Sequence, residues 1–462
     1  MFKKFLNKTS YSEEELVKEL LSHTFNLEKV NKIINSISVD LNTLSFNDEL
    51  VFHLCCKKDL FQAVLWFLDK RIDIEVQNSQ KETAIFYAIH SKSSAILQVL
   101  IENKANINHL NMYNRTALQD AVISANSNRV VNYLLEVTSN ISNCDIHGNN
   151  LIFDAIANGN FELIKKIASI DKIDINQVNE DGHTVLHKES VLRNTPLAIA
   201  LMEAGANPTI LDKNGNSFLF LVLSKGLESL EIIEKAVRLK YDINTKNSQN
   251  KTLLMECINL YLNTPEENQE LRNSHLEMAK ELMRLGVNVD SVDNRNENAF
   301  FLVTRSENKE LINIFLENCN INLNHKNIDD ETVLSILVLR GIKTAELIKY
   351  YLQKGANPDI QNVDGKTIIE ILLDIILHLQ NKKELDFKYE SQLNSDAEYP
   401  TVLELILTNS TIDLNNYNSK GEPLFFDSII YFNFKLFKLL RIKNINLNQK
   451  DKDGNNIIFK LM

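Results

Sequence analysis

Only five cysteines stand in 462 residues, at Cys55, Cys56, Cys144, Cys257 and Cys319, an odd number without paired spacing. That pattern argues against a disulfide framework and points to free thiols in a reducing compartment. No stretch approaches about 18 uninterrupted apolar residues, so no segment reads as a membrane span. The opening Met1-Phe2-Lys3-Lys4-Phe5-Leu6 turns polar after two apolar residues and lacks the hydrophobic run of a secretory signal. Clustered Lys and Arg are missing too. The net charge of -11, with a pI near 5.5, disfavours nucleic-acid backbones and anionic lipid. Protein is the expected partner and the cytoplasm the expected compartment, with export by a route needing no classical signal peptide as the alternative.

Motifs for chemistry are equally scarce. The chain has no phosphate loop, Gly-rich dinucleotide turn, nucleophile elbow or zinc-ligand spacing. His183 and His187 are four apart, but one precedes a helix start and no third ligand is near in sequence, so a structural reading is expected. Cys55 and Cys56 are neighbours on a helix and diverge by about 100°, which prevents joint chelation from one face. No catalytic, cofactor-binding or metal residue is assigned, no cofactor is expected, and the chain reads as a non-enzyme.

What is present is a period. An Asp or Asn followed by a branched apolar residue or Pro recurs at Asp40, Asp73, Asn106, Asn140, Asp174, Asn207, Asp242, Asn288, Asn322, Asn357, Asp413 and Asn446. The gaps are 33, 33, 34, 34, 33, 35, 46, 34, 35, 56 and 33, which marks stacked repeats rather than a globule with a central pocket. Aligned on the helix start, the register falls at Glu15, Glu49, Thr83, Thr116, Asn150, Thr184, Ser217, Thr252, Asn298, Thr332, Thr367, Pro423 and Asn456, mostly residues that cap helices. Two residues earlier, eleven of twelve positions from Asn47 to Gly454 tolerate positive φ, Lys81 being the exception. Five residues before the start stand Asn78, Asn111, Asp145, Asn179, Asp212, Asn247, Asp293, Asn327, Asn362, Asn418 and Asp451, whose short side chains close an Asx-turn. Apolar spacing near three and four follows, as at Ala84, Ile85, Ala88 and Ile89, then Ile96, Leu97, Leu100 and Ile101. Each unit is therefore a hairpin, a helix, a turn and a helix.

With Asp181-Gly182-His183-Thr184-Val185-Leu186-His187, Thr83-Ala84-Ile85, Thr116-Ala117-Leu118, Gly205-Ala206-Asn207-Pro208 and Gly355-Ala356-Asn357-Pro358, this pattern resembles the ankyrin repeat. The Pro that follows the family's Thr is absent, and Glu189 stands where a small apolar residue belongs. The resemblance implies an all-α, ankyrin-type helical solenoid with short β-hairpin or loop fingers, of about twelve degenerate repeats. The expected domains are an N-terminal capping helix pair over 1–44, with the capping box Ser12-x-x-Glu15, and an array over 45–446. A C-terminal half repeat follows over 447–462, its open apolar face either folding back locally or contacting another molecule. Insertions at 263–274 and 381–400 fall between first and second helices and read as surface loops.

The resemblance also implies a protein-binding scaffold gripping partners through its concave finger and first-helix surface. It maps that surface onto Met112, Tyr113, Arg115, Ser124, His147, His183, Lys213, Arg295, Arg305, Arg340 and Tyr431. Tyr113, Arg115, Arg295 and Arg340 are favoured, because Tyr and Arg supply most interface hot spots. Alternatives are an exported bacterial effector acting on host proteins, or an effector enzyme with a cryptic site in the insertions.

Overall fold

Ten fingers among the described residues are each closed by one short side chain. The computed structural model describes residues 11–124, 128–340, 344–381, 399–409, 413–417, 421–426 and 444–461. The Asp or Asn five before a helix start accepts from the N–H groups two and four residues on. Asn111 Oδ1 takes Tyr113 at 2.9 Å and Arg115 at 3.1 Å, and Asp293 Oδ1 takes Arg295 at 2.8 Å and Glu297 at 3.0 Å. The same double acceptance forms at Asn78, Asp145, Asn179, Asp212, Asn247, Asn327, Asn362 and Asp451, while Asn418 lies outside the described residues. The residue two before the helix start is left-handed at all twelve positions from Asn47 to Gly454, with φ between 51° and 83°. Lys81 is included, at 58°.

Helices begin where the register places them, at Thr83, Thr116, Asn150, Thr252, Asn298 and Thr332. Thr116 and Gln119 form a reciprocal capping box, and Ser12 and Glu15 another. Two starts differ from the register. Glu15 is the third helical residue behind the cap Ser12, and Glu49 sits in a strand, with Leu50 as the cap.

The first compact unit, Met1–Phe218, opens with α1 (Glu13–Leu20) and α2 (Leu27–Ile34), then a hairpin of β1 (Ser45–Phe46) and β2 (Glu49–Leu50). Helix pairs follow: α3 (Val51–Lys57) with α4 (Phe61–Asp69), α5 (Ala84–His90) with α6 (Ser94–Glu102), α7 (Ala117–Ile123) with α8 (Asn128–Val137), and α9 (Leu151–Asn158) with α10 (Phe161–Ala168). First helices pack on first helices, α3 on α5 on α7 on α9, and α4 packs on α6. Ala84, Ile85, Ala88, Ile89, Ile96, Leu97 and Leu100 are all buried between them. Each large apolar side chain so buried contributes about 1.5–3 kcal/mol. The next first helix is broken: a 3-10 turn (Val185–His187) ends at Lys188, whose ψ of 136° is extended, and α11 (Glu189–Leu192) and α12 (Thr195–Glu203) follow. The break turns Glu189 to solvent, which accounts for a charge at an apolar register position.

The second unit, Leu219–Met462, begins inside α13 (Phe218–Val222), which gives way to a 3-10 segment (Leu223–Ser229) before α14 (Leu230–Arg238). It continues with α15 (Leu253–Asn263) and α16 (Gln269–Arg284), α17 (Ala299–Ser306) and α18 (Lys309–Asn318), α19 (Val333–Leu339) and α20 (Ala345–Gln353), α21 (Ile368–Asn381) and α22 (Tyr399–Asn409), and closes on α23 (Ile457–Leu461). Here α15, α17, α19 and α21 stack in sequence. Residues 263–274, expected as a surface loop, instead end α15, make a short link and begin α16. The added turns pack on the 3-10 segment, where Ser274 Oγ accepts from Leu227 N–H at 2.8 Å. Gly226, at φ 58° and ψ -132°, lets that contact form, since a Cβ there would lie 2.4 Å from Ser274 Oγ. Of the second insertion, residues 382–398 lie outside the described residues.

Neighbouring repeats are also tied by side chains that the period alone does not announce. In several repeats the residue two after the repeating Asp or Asn accepts from the backbone N–H one repeat on: Asn42 from Asp73 at 2.9 Å, Asn108 from Asn140 at 3.0 Å and Asn176 from Asn207 at 2.7 Å. In the second unit Asn244, Asn324 and Asn415 do the same for Asn288, Asn357 and Asn446, each at 2.7 Å.

Opposite effects are expected at two equivalent finger positions. Lys81→Gly relieves a left-handed lysine and should stabilise the first unit by about 1 kcal/mol. Gly182→Ala, whose Cβ would lie 2.9 Å from Lys213 N, should cost about 2 kcal/mol. Urea denaturation of the two variants checks the signs.

Candidate protein-binding surface

In the first unit the finger residues form a connected edge. Met112 N–H donates to the Gln80 carbonyl at 2.8 Å, Ile146 N–H to Tyr113 at 3.1 Å, and Glu180 N–H to His147 at 2.8 Å, so each finger is bonded to the next. On this edge Met112, Tyr113 and Ile146 are exposed apolar side chains. His147 is exposed and pairs with Glu180 at 2.8 Å, while the half-buried His183 lies 3.6 Å from Asp212. Lys213 and Ser124 are exposed, and Tyr431 lies outside the described residues.

His183 stacks on His187 with centroids 5.4 Å apart, but His187 is engaged in the fold. Its Nδ1 accepts from Thr184 N–H at 3.1 Å, taking the part that Gln119 plays two fingers earlier, so Nε2 carries the proton and donates to the Asn216 carbonyl at 3.2 Å. Burial lowers the His187 pKa, and the Asn216 carbonyl only partly offsets it.

Arg115 points inward. Its side chain is 12% exposed and reaches three carboxylates: Asp120 from Nε at 3.0 Å, Asp145 from Nη1 at 3.2 Å and Asp154 from Nη2 at 2.8 Å. Asp120 and Asp154 occupy the same register place in α7 and α9, and Asp145 belongs to the finger between them. Burial pulls the guanidinium pKa down, and the Asp154 and Asp120 charges more than reverse it. Asp154 responds the other way. Burial pushes it up to about 7, because the charge of Arg115, shared with two other carboxylates, offsets only part of the desolvation. Its Oδ2 is buried without a hydrogen-bond partner.

In the second unit Arg295, Arg305 and Arg340 line one groove of about 460 Å³, with Asp329, Glu331 and Leu339. Arg305 grips the buried Glu297 with both terminal nitrogens. Burial pushes Glu297 up, but Arg305 and Asn327 outweigh it and hold the carboxyl below its ordinary value. Arg340 donates to the Arg305 carbonyl at 2.8 Å and to Glu307. Arg295 is the loosest of the three, 3.5 Å from Asp329 and 3.8 Å from Glu297, with its side chain exposed. Beside it Ile328 is 61% exposed on a fingertip bonded to Arg295 O at 3.0 Å.

The geometry on both units is one finger-plus-helix-pair plan, and a model of ankyrin repeats, in three copies, matches residues 52–147. This chain carries ankyrin repeats. Among curated relatives it is 24% identical over 241 residues to Rabankyrin-5 of Homo sapiens, covering 48% of this chain and 19% of that one. It is 20% identical over 354 residues to the E3 ubiquitin-protein ligase KEG of Arabidopsis thaliana, covering 74% of this chain and 19% of that one. The chain thus spans about a fifth of the length of these relatives. The crystal structure of the human ASB11 ankyrin repeat domain aligns with 49% of this chain and 96% of its own, at 17% identity and a TM-score of 0.38. Ankyrin repeats generally mediate binding between proteins. No helix among the described residues is long and apolar enough to cross a membrane.

Two consequences of the Arg115 cluster are measurable. Arg115→Ala leaves buried carboxylates uncompensated and should destabilise the first unit by about 3–5 kcal/mol in denaturant titrations. Asp154 holds its proton longer folded than unfolded, so between the ordinary value of 3.8 and about 7 the wild type should lose stability relative to Asp154→Asn as pH rises. The difference should reach up to about 4 kcal/mol and be constant above that window.

Proposed function

We propose that the chain is a non-enzymatic scaffold that binds partner proteins across its finger and first-helix surface, acting in the cytoplasm, where its five free cysteines are at home. In this reading residues 1–44 cap an array over 45–446, and 447–462 form a half repeat. The observation that carries it is the pairing of exposed anchors with braced backbone. Met112, Tyr113 and Ile146 stand on fingers bonded to one another, and Arg295, Arg305 and Arg340 converge on a groove. Anchors held in place before encounter lose little freedom on binding, and Tyr and Arg contribute most where they are held so. His147 and His183 extend the first patch. Arg115 supports it from beneath by fixing the finger that carries Met112 and Tyr113.

Quantitative affinity capture from the native cell tests this with Tyr113→Ala, Arg295→Ala and, on a second helix, Glu310→Ala. A partner of the proposed surface should be depleted about tenfold or more by at least one of the first two and retained by the third. Equal recovery with all three would sink the reading.

A further inference from the structure

Glu82, His90 and Asp120 each present a donor atom within 4.8 Å of the others. They come from two adjacent repeats of the first unit: Glu82 ends the finger before α5, His90 is the last residue of α5, and Asp120 faces them from α7. The two carboxylates are 8% and 9% exposed, while His90 lies at the surface.

Donors outside the trio already fix one oxygen of each acid. Asn78 Nδ2 holds Glu82 Oε2 at 2.9 Å, and Arg115 Nε holds Asp120 Oδ1 at 3.0 Å. The second oxygen of Asp120, Oδ2, is 3.8 Å from His90 Nε2, beyond hydrogen-bond reach. Glu82 is the most deeply buried of the three donors. It is a carboxylate more than nine-tenths buried, aimed at the trio, with no ion-pair partner among the described residues. Arg115, which bonds Asp120, is divided among Asp120, Asp145 and Asp154. Burying a carboxylate without a counter-charge is costly, and a cation at this spot removes that cost.

We propose that Glu82, His90 and Asp120 bind a divalent cation of the zinc class at the junction of the α5 and α7 repeats. One imidazole and two carboxylates form a donor set suited to zinc, and the exposed flank beside His90 leaves a position for water or a partner's ligand. In tetrahedral coordination metal–donor distances of about 2.0–2.2 Å set donors about 3.3–3.6 Å apart, so atoms now within 4.8 Å of one another must close by up to about 1.5 Å. The surface ring of His90 is free to make that adjustment. Asn78 and Arg115 then act as the outer hydrogen bonds that orient metal-binding carboxylates. Because the ion joins two repeats, its binding stabilises their contact. The proposal stands apart from the partner-binding reading and does not require it.

The full-length protein is titrated with zinc against a chromophoric chelator, alongside His90→Gln and Glu82→Gln. Asp120 is left intact because Arg115 depends on it, and circular dichroism confirms that both variants are folded. Wild type should show a zinc site whose affinity falls about tenfold or more in each variant, and zinc should raise the midpoint of the transition that unfolds the first unit. No zinc binding by wild type, or binding unchanged by both substitutions, overturns the proposal. The latter result would place the ion at other ligands.

Discussion

A carboxylate or amide oxygen that satisfies two backbone donors is the contact on which the rest of this molecule depends. At the base of each finger the chain must reverse within five residues, stranding N–H groups that no helix or sheet can pair. Asn or Asp is short enough to reach both, and the left-handed residue that follows aims the chain into the next helix. The fingers come out alike because the same bonds are made each time, at Asn78 and at Asp451 as at Asn111. Helices then stack at a fixed interval, and their apolar faces meet only because the turns have set the spacing.

That contact is also why so much of the fold was legible. Asx residues, left-handed positions and capping Thr or Asn recur in phase, and each has a local physical meaning that survives without tertiary information. Legibility failed where one element answered to another. Lys81 is left-handed against its own preference because its finger bonds fix it. Glu189 looked misplaced until the break at Lys188 turned it outward. The inter-repeat acceptors at Asn42, Asn108 and Asn176 carry a readable signal, a polar residue two after the repeating Asp or Asn. Their partners lie a full repeat away, so the local pattern gives no reason to look for them.

The surface was less legible than the fold, for an electrostatic reason. Register marks which residues lie on the finger side but not which of them are already spent. Arg295 and Arg115 look alike in sequence, yet one is loosely paired at the surface and the other is locked among three carboxylates. The clue to Arg115 was two aspartates at one register place in consecutive repeats, flanking an arginine that could serve both. The Glu82, His90 and Asp120 cluster shows no motif spacing, because its members meet through stacking rather than along the chain.

The extended helix α16 bears on how such a chain can change length. Its extra turns cover the spot where the preceding first helix gives way to 3-10 geometry at Gly226, so an irregularity in one repeat is mended by surplus residues in the next. Surplus and defect are therefore structurally coupled. Trimming α16 to the standard length would uncover a wound it now dresses, and a side chain at Gly226 would collide with the dressing, so a change to either feature falls on the other.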